Sequence, residues 1–517
     1  MKPIRLISGF LTVGAWTMLS RVFGFARDIL IAAKLGDGPV AEAFVVAFAL
    51  PNMFRRFFAE GAFNMAFVPM FSKKLERGED PEGFARDAFS GLATLLIVFT
   101  VAAQVAMPWL VLAMASGFAG DERFALATEF GRIAFPYILF ISLAALLSGV
   151  LNATGRFAAA AAAPVLLNVL LIAAMVAADA AGASVGLALA WAVPVAGIAQ
   201  LALLWHAAAR AGFRIVPARP QLTPELRTLA RIAAPAMLAG GVVQINLLVG
   251  RQVASYFDGA IQYLNLADRL YQLPLGVVAI AIGVVLLPDL SRKLEAGDTG
   301  GGRDAFNRAT EFALLLTVPA ALALVTIAHP IVSVLFERGA FGPEAVANTA
   351  LATAAYGAGL PAFVLQKVLQ PLYFARADTV TPFRYALVAM AINAVLAIGL
   401  APVIGFTAAA WATTLAGWAM VALLWHGSRR MGAAVELDAR LRRRVARIVL
   451  ASAVMALVLL GTDALLGDAL YAPTVRYGAL ATLIGVGIAS YFAAAQLLGA
   501  ASFGEIRRAV RRGASSD

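Results

Sequence analysis

The chain has 517 residues, of which 61% are hydrophobic and 14% charged, with a mean hydropathy of +0.83. Soluble globular chains are about 45–50% apolar and about 25% charged, so this composition excludes a soluble protein and points to one that crosses a membrane many times. The lack of cysteine excludes disulfides, thiol catalysis and cysteine metal sites, and His206, His329 and His426 stand too far apart to form a metal-ligand motif.

A spanning helix needs about 20 mostly apolar residues. Fourteen segments meet that requirement: 7–33, 40–66, 89–113, 126–150, 157–178, 185–206, 231–250, 262–289, 310–335, 346–371, 384–401, 405–426, 447–466 and 476–498. The expected fold is therefore an all-α polytopic membrane protein with fourteen transmembrane helices. Lys2 and Arg5 precede the first segment, but the apolar run continues through Arg21 and Arg27 without a small-residue cleavage pattern, so the chain is expected to be retained from Met1. Pro51, Pro136, Pro194, Pro274, Pro319 and Pro361 fall inside spans, where proline removes a backbone donor and kinks the helix.

The first two segments carry charges that a lipid-facing helix would not tolerate: Arg21, Arg27, Asp28, Glu42, Arg55, Arg56 and Glu60. Arginine stays ionised, and a charge at the bilayer centre costs roughly 2.5–3.5 kcal/mol even on the lenient insertion scale. These arginines are therefore expected to line a wet interior. Arg21 and Asp28 are seven residues apart and share a helical face, with Arg27 turned away by about 100–120°. Arg56 and Glu60 form an i,i+4 pair. Glu42 lies some 21 Å up the helix from Arg56. Asp268 and Arg269 place further charges in the eighth segment, between Asn265 and Gln272, and Lys367 and Gln366 lie in the tenth.

Two readings of these charges stand. In one, each carboxylate neutralises an arginine and only fixes packing. In the other, the surplus of Arg21, Arg27, Arg55, Arg56 and Arg269 over Asp28, Glu42, Glu60 and Asp268 makes a cavity for an anion. The planar guanidinium fork suits phosphate or diphosphate.

The second half of the chain echoes the first. Ala190-Trp191-Ala192 with Leu203-Leu204-Trp205-His206 recurs 220 residues on as Ala410-Trp411-Ala412 with Leu423-Leu424-Trp425-His426. Phe67-Val68-Pro69 with Ser72-Lys73-Lys74-Leu75-Glu76 recurs 219 residues on as Leu286-Leu287-Pro288 with Ser291-Arg292-Lys293-Leu294-Glu295. Adding six helices preserves orientation, so two parallel six-helix repeats are expected, with a substrate site between them. The expected divisions are 1–215, 216–430, and a tail of two helices and a basic end over 431–517. Basic residues crowd the loops on one side, including Lys73, Lys74, Arg210, Arg214, Arg292, Lys293, Arg429, Arg430 and the run Arg440–Arg447. Only Lys34, Arg123, Arg251, Arg338 and Arg476 fall on the other. That asymmetry puts both termini in the cytoplasm and accounts for most of the +11 net charge as topology and attraction to anionic phospholipid, not nucleic-acid binding.

SRVFGFARD (20–28), EAFVVAFALPNMFRRFFAEGAFNMAFVP (42–69), DRLYQLPLGVVAIAIGVVLLPDLS (268–291), LFERGAF (335–341) and YFARADTVTP (373–382) resemble the MurJ (MviN) lipid II flippase family, within the multidrug/oligosaccharidyl-lipid/polysaccharide exporter superfamily. The resemblance covers nearly the whole chain. It implies two six-helix lobes around a V-shaped cavity and two C-terminal helices flanking a hydrophobic groove. It also implies a bacterial inner-membrane transporter, not an enzyme, that moves an undecaprenyl-diphosphate disaccharide-pentapeptide to the outer leaflet. The family's functional positions fall on Arg21, Arg27, Arg55, Arg56 and Arg269, with acidic partners at Asp28 and Glu60. Where the family commonly has aspartate, this chain has Glu42. Some members resemble sodium-coupled carriers. Here the seventh and eleventh segments hold no carboxylate, and Asp378 is the nearby candidate. The expected partners are lipid II, phospholipids and cell-wall synthesis or division proteins. The expected state is a monomer without cofactor, and the coupling ion or membrane potential is left open. Three other readings remain: a drug or cation exporter of the superfamily, a membrane-embedded glycosyltransferase or acyltransferase, and a non-transporting scaffold. The first would want an acidic, aromatic cavity. The second would want an acidic metal motif or a general base in a sizeable loop. The third leaves the embedded arginines without a purpose.

Overall fold

A computed structural model describes residues 3–56, 58, 62–281, 291–293 and 296–501. The described helices in chain order are α1 (Pro3–Leu35), α2 (Pro39–Arg55), α3 (Ala62–Arg77), α4 (Pro81–Met114), α5 (Glu122–Ala134), α6 (Tyr137–Ala153), α7 (Ala158–Ala180), α8 (Val185–Arg210), α9 (Pro224–Ala254), α10 (Ala260–Ala281), α11 (Thr299–Thr326), α12 (Ala328–Phe336), α13 (Pro343–Phe374), α14 (Val380–Ile404), α15 (Thr407–Ser428), α16 (Ala439–Leu466) and α17 (Arg476–Leu497). The extended pairing among the described residues is a single bridge between Arg338 and Phe341. Nine described helical stretches are long and apolar enough to cross a membrane, with mean hydropathies between 1.4 and 2.4. The protein is a multi-pass, all-helical membrane protein. Large apolar side chains such as Val98, Val101, Val105, Trp109, Val395, Ile398 and Leu457 stand exposed along these helices, as lipid-facing groups would.

Local chemistry explains where the helices begin. The carboxylates of Asp80 and Asp298 accept the backbone N–H of Gly83 and Gly301 at 2.9 and 2.8 Å, capping α4 and α11. A Cβ on either glycine would meet the capping carboxylate, which would have to turn to make room. Thr223 and Asp438 cap α9 and α16 in the same way, through Leu226 and Leu441.

Two of the expected continuous spans, the fourth and the ninth, are interrupted. In the second span, turns of the wider π type occur at Arg56 and Phe58, between α2 and α3. The fourth divides into α5 and α6 at Pro136, which has no N–H to continue the ladder. The ninth divides into α11 and α12 at Ile327, whose φ of −118° and ψ of 28° depart from helix.

The chain forms two compact units, residues 1–262 with 338–341, and residues 263–337 with 342–517. In the first, α1 packs on α7, α8 on both α6 and α7, α2 on α5, and α3 on α9. In the second, α15 packs on α13 and α14, and α11 on α13 and α16. Phe306, Val368, Leu372, Tyr373 and Leu424 form one core there. Ile448, Met455, Leu459, Leu483 and Tyr491 of α16 and α17 form another with Ile327 and Val334. The last two helices are thus seated on α11 and α12, where the Tyr491 hydroxyl also donates to the Leu315 carbonyl at 2.6 Å.

Candidate functional site

On α1, Arg27 is buried, 7% exposed, and Asp28 beside it is 5% exposed. The Arg27 Nε and Nη2 donate to Asp28 Oδ1 at 3.1 and 2.7 Å, and Nη1 donates to Asn168 Oδ1 at 2.9 Å. The Asn168 amide on α7 returns two donations, to the carbonyls of Ser20 at 3.1 Å and Pro164 at 3.2 Å. The guanidinium also lies 5.7 Å from the centre of the Phe48 ring, within cation–π reach. The carboxylate expected to share a face with Arg21 is instead drawn to its sequence neighbour, because the long Arg27 side chain folds back onto it. Arg21 itself is exposed. Asn168 was not among the expected site residues. The signal available for it was a lone amide in an apolar run one turn after Pro164, where a buried amide needs partners.

On α2, Arg55 is half-buried and Arg56 exposed, at the point where the helix widens. Turns of this type recur at functional sites. Phe54, Phe58, Phe99 and Phe135 pack against one another there, with ring centres 5.0 to 5.8 Å apart. Glu60, the expected partner of Arg56, lies outside the described residues.

Glu42, counted among the expected substrate-binding residues, is 1% exposed and already engaged. Its Oε2 accepts from Arg123 Nη1 at 2.8 Å and its Oε1 from the backbone N–H of Ile261 at 3.0 Å. Arg123 donates through Nε to Asp121 at 2.6 Å and pairs through Nη2 with Asp258 at 3.1 Å. The expected charge surplus did not assign Arg123 to Glu42, because 81 residues separate them. Outside the membrane segments, the Asp121 carboxyl is held below its usual range by the Arg123 backbone N–H and then its guanidinium, which together outweigh its partial burial.

In the second unit, Asp268 and Arg269 are half-buried on α10, and the Gln272 amide donates to Asp268. Tyr271 on the same helix packs at a tilt against Tyr356 and Phe363, with ring centres 5.1 and 5.6 Å away. Gln366 donates to the Gly417 carbonyl at 3.0 Å, a packing role, while Lys367 is exposed. Asp378 receives the Thr381 N–H at 2.9 Å at the start of α14, which holds its carboxyl below the usual range.

Long apolar helices that carry buried charged side chains such as Arg27, Asp28 and Glu42 define a multi-pass membrane protein with a polar interior. The family model described as lipid II flippase MurJ matches residues 31–481. A probable lipid II flippase MurJ from Rhizobium meliloti (strain 1021) is 45% identical over 99% of this chain and 98% of its own length. The lipid II flippase MurJ of Burkholderia cenocepacia is 36% identical, over 83% of this chain and 85% of its own. Among solved structures, a lipid II flippase MurJ in an inward closed conformation matches with a TM-score of 0.79 and 24% identity, covering 94% of this chain and 98% of that one. An inward-facing multidrug resistance transporter of the MATE family matches with a TM-score of 0.64 and 14% identity, over 82% of this chain and 98% of that one. The chain belongs to the lipid II flippase MurJ family.

Proposed function

We propose that this protein flips lipid II from the inner to the outer leaflet of the bacterial cytoplasmic membrane by alternating access. The observation that carries the reading is the match to the lipid II flippase family over residues 31–481. The charged residues supply the chemistry. Arg21, Arg27, Arg55 and Arg56 on α1 and α2, with Arg269 on α10, attract the diphosphate and hold its oxygens through guanidinium forks. Asp28 and Asn168 orient the Arg27 fork and lower the cost of embedding it. Glu42, through Arg123, anchors the first turn of α2, so it serves the site by positioning that helix.

The same reading takes the chain as fourteen crossings, with lobes 1–215 and 216–430, the tail 431–517 and both termini in the cytoplasm. Helix starts support the duplication: Pro39 and Ala260, Glu122 and Pro343, Ala158 and Val380, and Val185 and Thr407 each stand about 220 residues apart. So do the two aspartate–glycine caps at Asp80 and Asp298. The packing units divide elsewhere, after Gln262, because α9 packs on α3 and α4. The protein works as a monomer without a cofactor. Membrane potential can drive the cycle at roughly 2.3 kcal/mol per charge per 100 mV.

The test is complementation of a strain depleted of its own flippase. Arg27→Ala and Arg269→Ala should each abolish growth while the protein still reaches the membrane. Full growth with both substitutions combined would overturn the assignment of the diphosphate site.

A further inference from the structure

A cleft of about 390 Å³ opens in the second unit where α11, α13, α15 and the start of α16 meet. That volume lies within the range of about 300–1,000 Å³ typical of small-molecule sites. Phe306, Leu314, Leu369, Val421, Leu441 and Val445 line it. Thr310 also faces it, but its hydroxyl is turned back to the Phe306 carbonyl at 2.8 Å, so only its methyl is offered. Trp425 stacks on Phe306 at 6.3 Å, and its indole N–H has no hydrogen-bond partner among the described residues.

The stem of Arg442 borders the cleft; this arginine is exposed, and its guanidinium makes no ion pair or hydrogen bond among the described residues. Its neighbours behave differently. Arg444 and Arg308 bind Glu311, Arg440 approaches the same carboxylate at 3.4 Å, and Arg308 also binds Asp438. Glu311 is only 7% exposed. The basic run Arg440–Arg447, expected as one patch for lipid headgroups, is therefore split. Arg440 and Arg444 clasp α16 to α11, and Arg442 is left at the cleft.

We infer that this cleft holds one acyl chain of an anionic phospholipid, with the lipid phosphate on Arg442. Leu441, Arg442 and Val445 lie in the first two turns of α16, and Trp425 in the last turn of α15. Both are helix ends, the depth at which a bilayer lipid changes from headgroup to chain. An apolar cleft beside an exposed cation matches such a lipid in both parts. The arginines assigned to the transported diphosphate are on α1, α2 and α10, and none of them lines the cleft. The lipid would act as a wedge that seats α16 on the lobe. The inference does not depend on what the protein transports.

The test uses the full chain purified in detergent. Thermal unfolding and native mass spectrometry would follow added phosphatidylglycerol, phosphatidylcholine and undecaprenyl phosphate. Phosphatidylglycerol should be retained and raise the melting temperature, and phosphatidylcholine should do neither. Arg442→Gln should weaken phosphatidylglycerol binding about tenfold, the effect expected for one charge-assisted hydrogen bond. Val445→Trp, which fills the cleft, should remove the shift. Equal retention of phosphatidylcholine would overturn the inference. So would a shift unchanged in both variants. Displacement of phosphatidylglycerol by equimolar undecaprenyl phosphate would overturn it too, assigning the cleft to the tail of the transported lipid.

Discussion

Two arginines of the first unit are nearly equally buried, Arg27 at 7% and Arg123 at 6% exposed, yet their settings differ in kind. Arg123 faces three carboxylates, Glu42, Asp121 and Asp258, and ties helix starts and a loop together. Its surroundings are net negative, so nothing anionic would approach it. Arg27 has one carboxylate and one amide; Arg21 shares its helix, and Arg55 and Arg56 stand at the end of α2. Burial alone does not mark an arginine as substrate-binding; on the proposed reading, the local charge balance separates these two.

Substitutions can break that comparison. Arg27→Lys keeps the charge but removes the fork, so transport of a labelled lipid-linked precursor should fall at least tenfold, the loss of one good charge-assisted bond. A lysine variant with wild-type transport would show that charge alone suffices there. Glu42→Gln should leave transport per folded molecule intact but destabilise the protein by about 3 kcal/mol, because Arg123 loses its most buried partner. Unchanged thermal unfolding in detergent would mean that Asp121 and Asp258 compensate.

Acid should act on the carboxylates outside the membrane segments. Burial pushes the Asp438 carboxyl up, but the Leu441 N–H and Arg308 outweigh it and hold the carboxyl below its usual value of 3.8. Asp121 is lowered as well. A depressed carboxylate contributes stability above its unfolded value, and that contribution is lost as pH falls through the folded value. The melting temperature should therefore be flat from about pH 8 to 5 and fall below about pH 4, and Asp438→Asn should reduce that acid step. The smallest effect is expected at the Lys34–Asp179 pair, 2.5 Å apart with side chains 37% and 46% exposed. Lys34→Ala should change stability by less than about 1 kcal/mol, as solvent-exposed pairs do.

The sequence was most informative where a pattern is local or repeats. Hydropathy identified a helical membrane protein, because a bilayer accepts only backbones that satisfy their own hydrogen bonds. The arginines stood out because their charge conflicts with the apolar runs around them. The break at Ile327 was not legible, since hydropathy passes over a helix interruption that stays apolar, and Pro136 was one of six prolines flagged in spans, of which the other five stay inside their helices.

By itself the chain determined its class, its family and the identity of its embedded charges. Only the tertiary structure decided which charges meet: Asp28 with Arg27, Asn168 with both α1 and α7, Glu42 with an arginine 81 residues away, and Glu311 with the arginines of α16. The reason is physical. A side chain's conflict with its local surroundings can be read along one helix, but its relief comes from a partner that only packing between helices brings within a few ångströms.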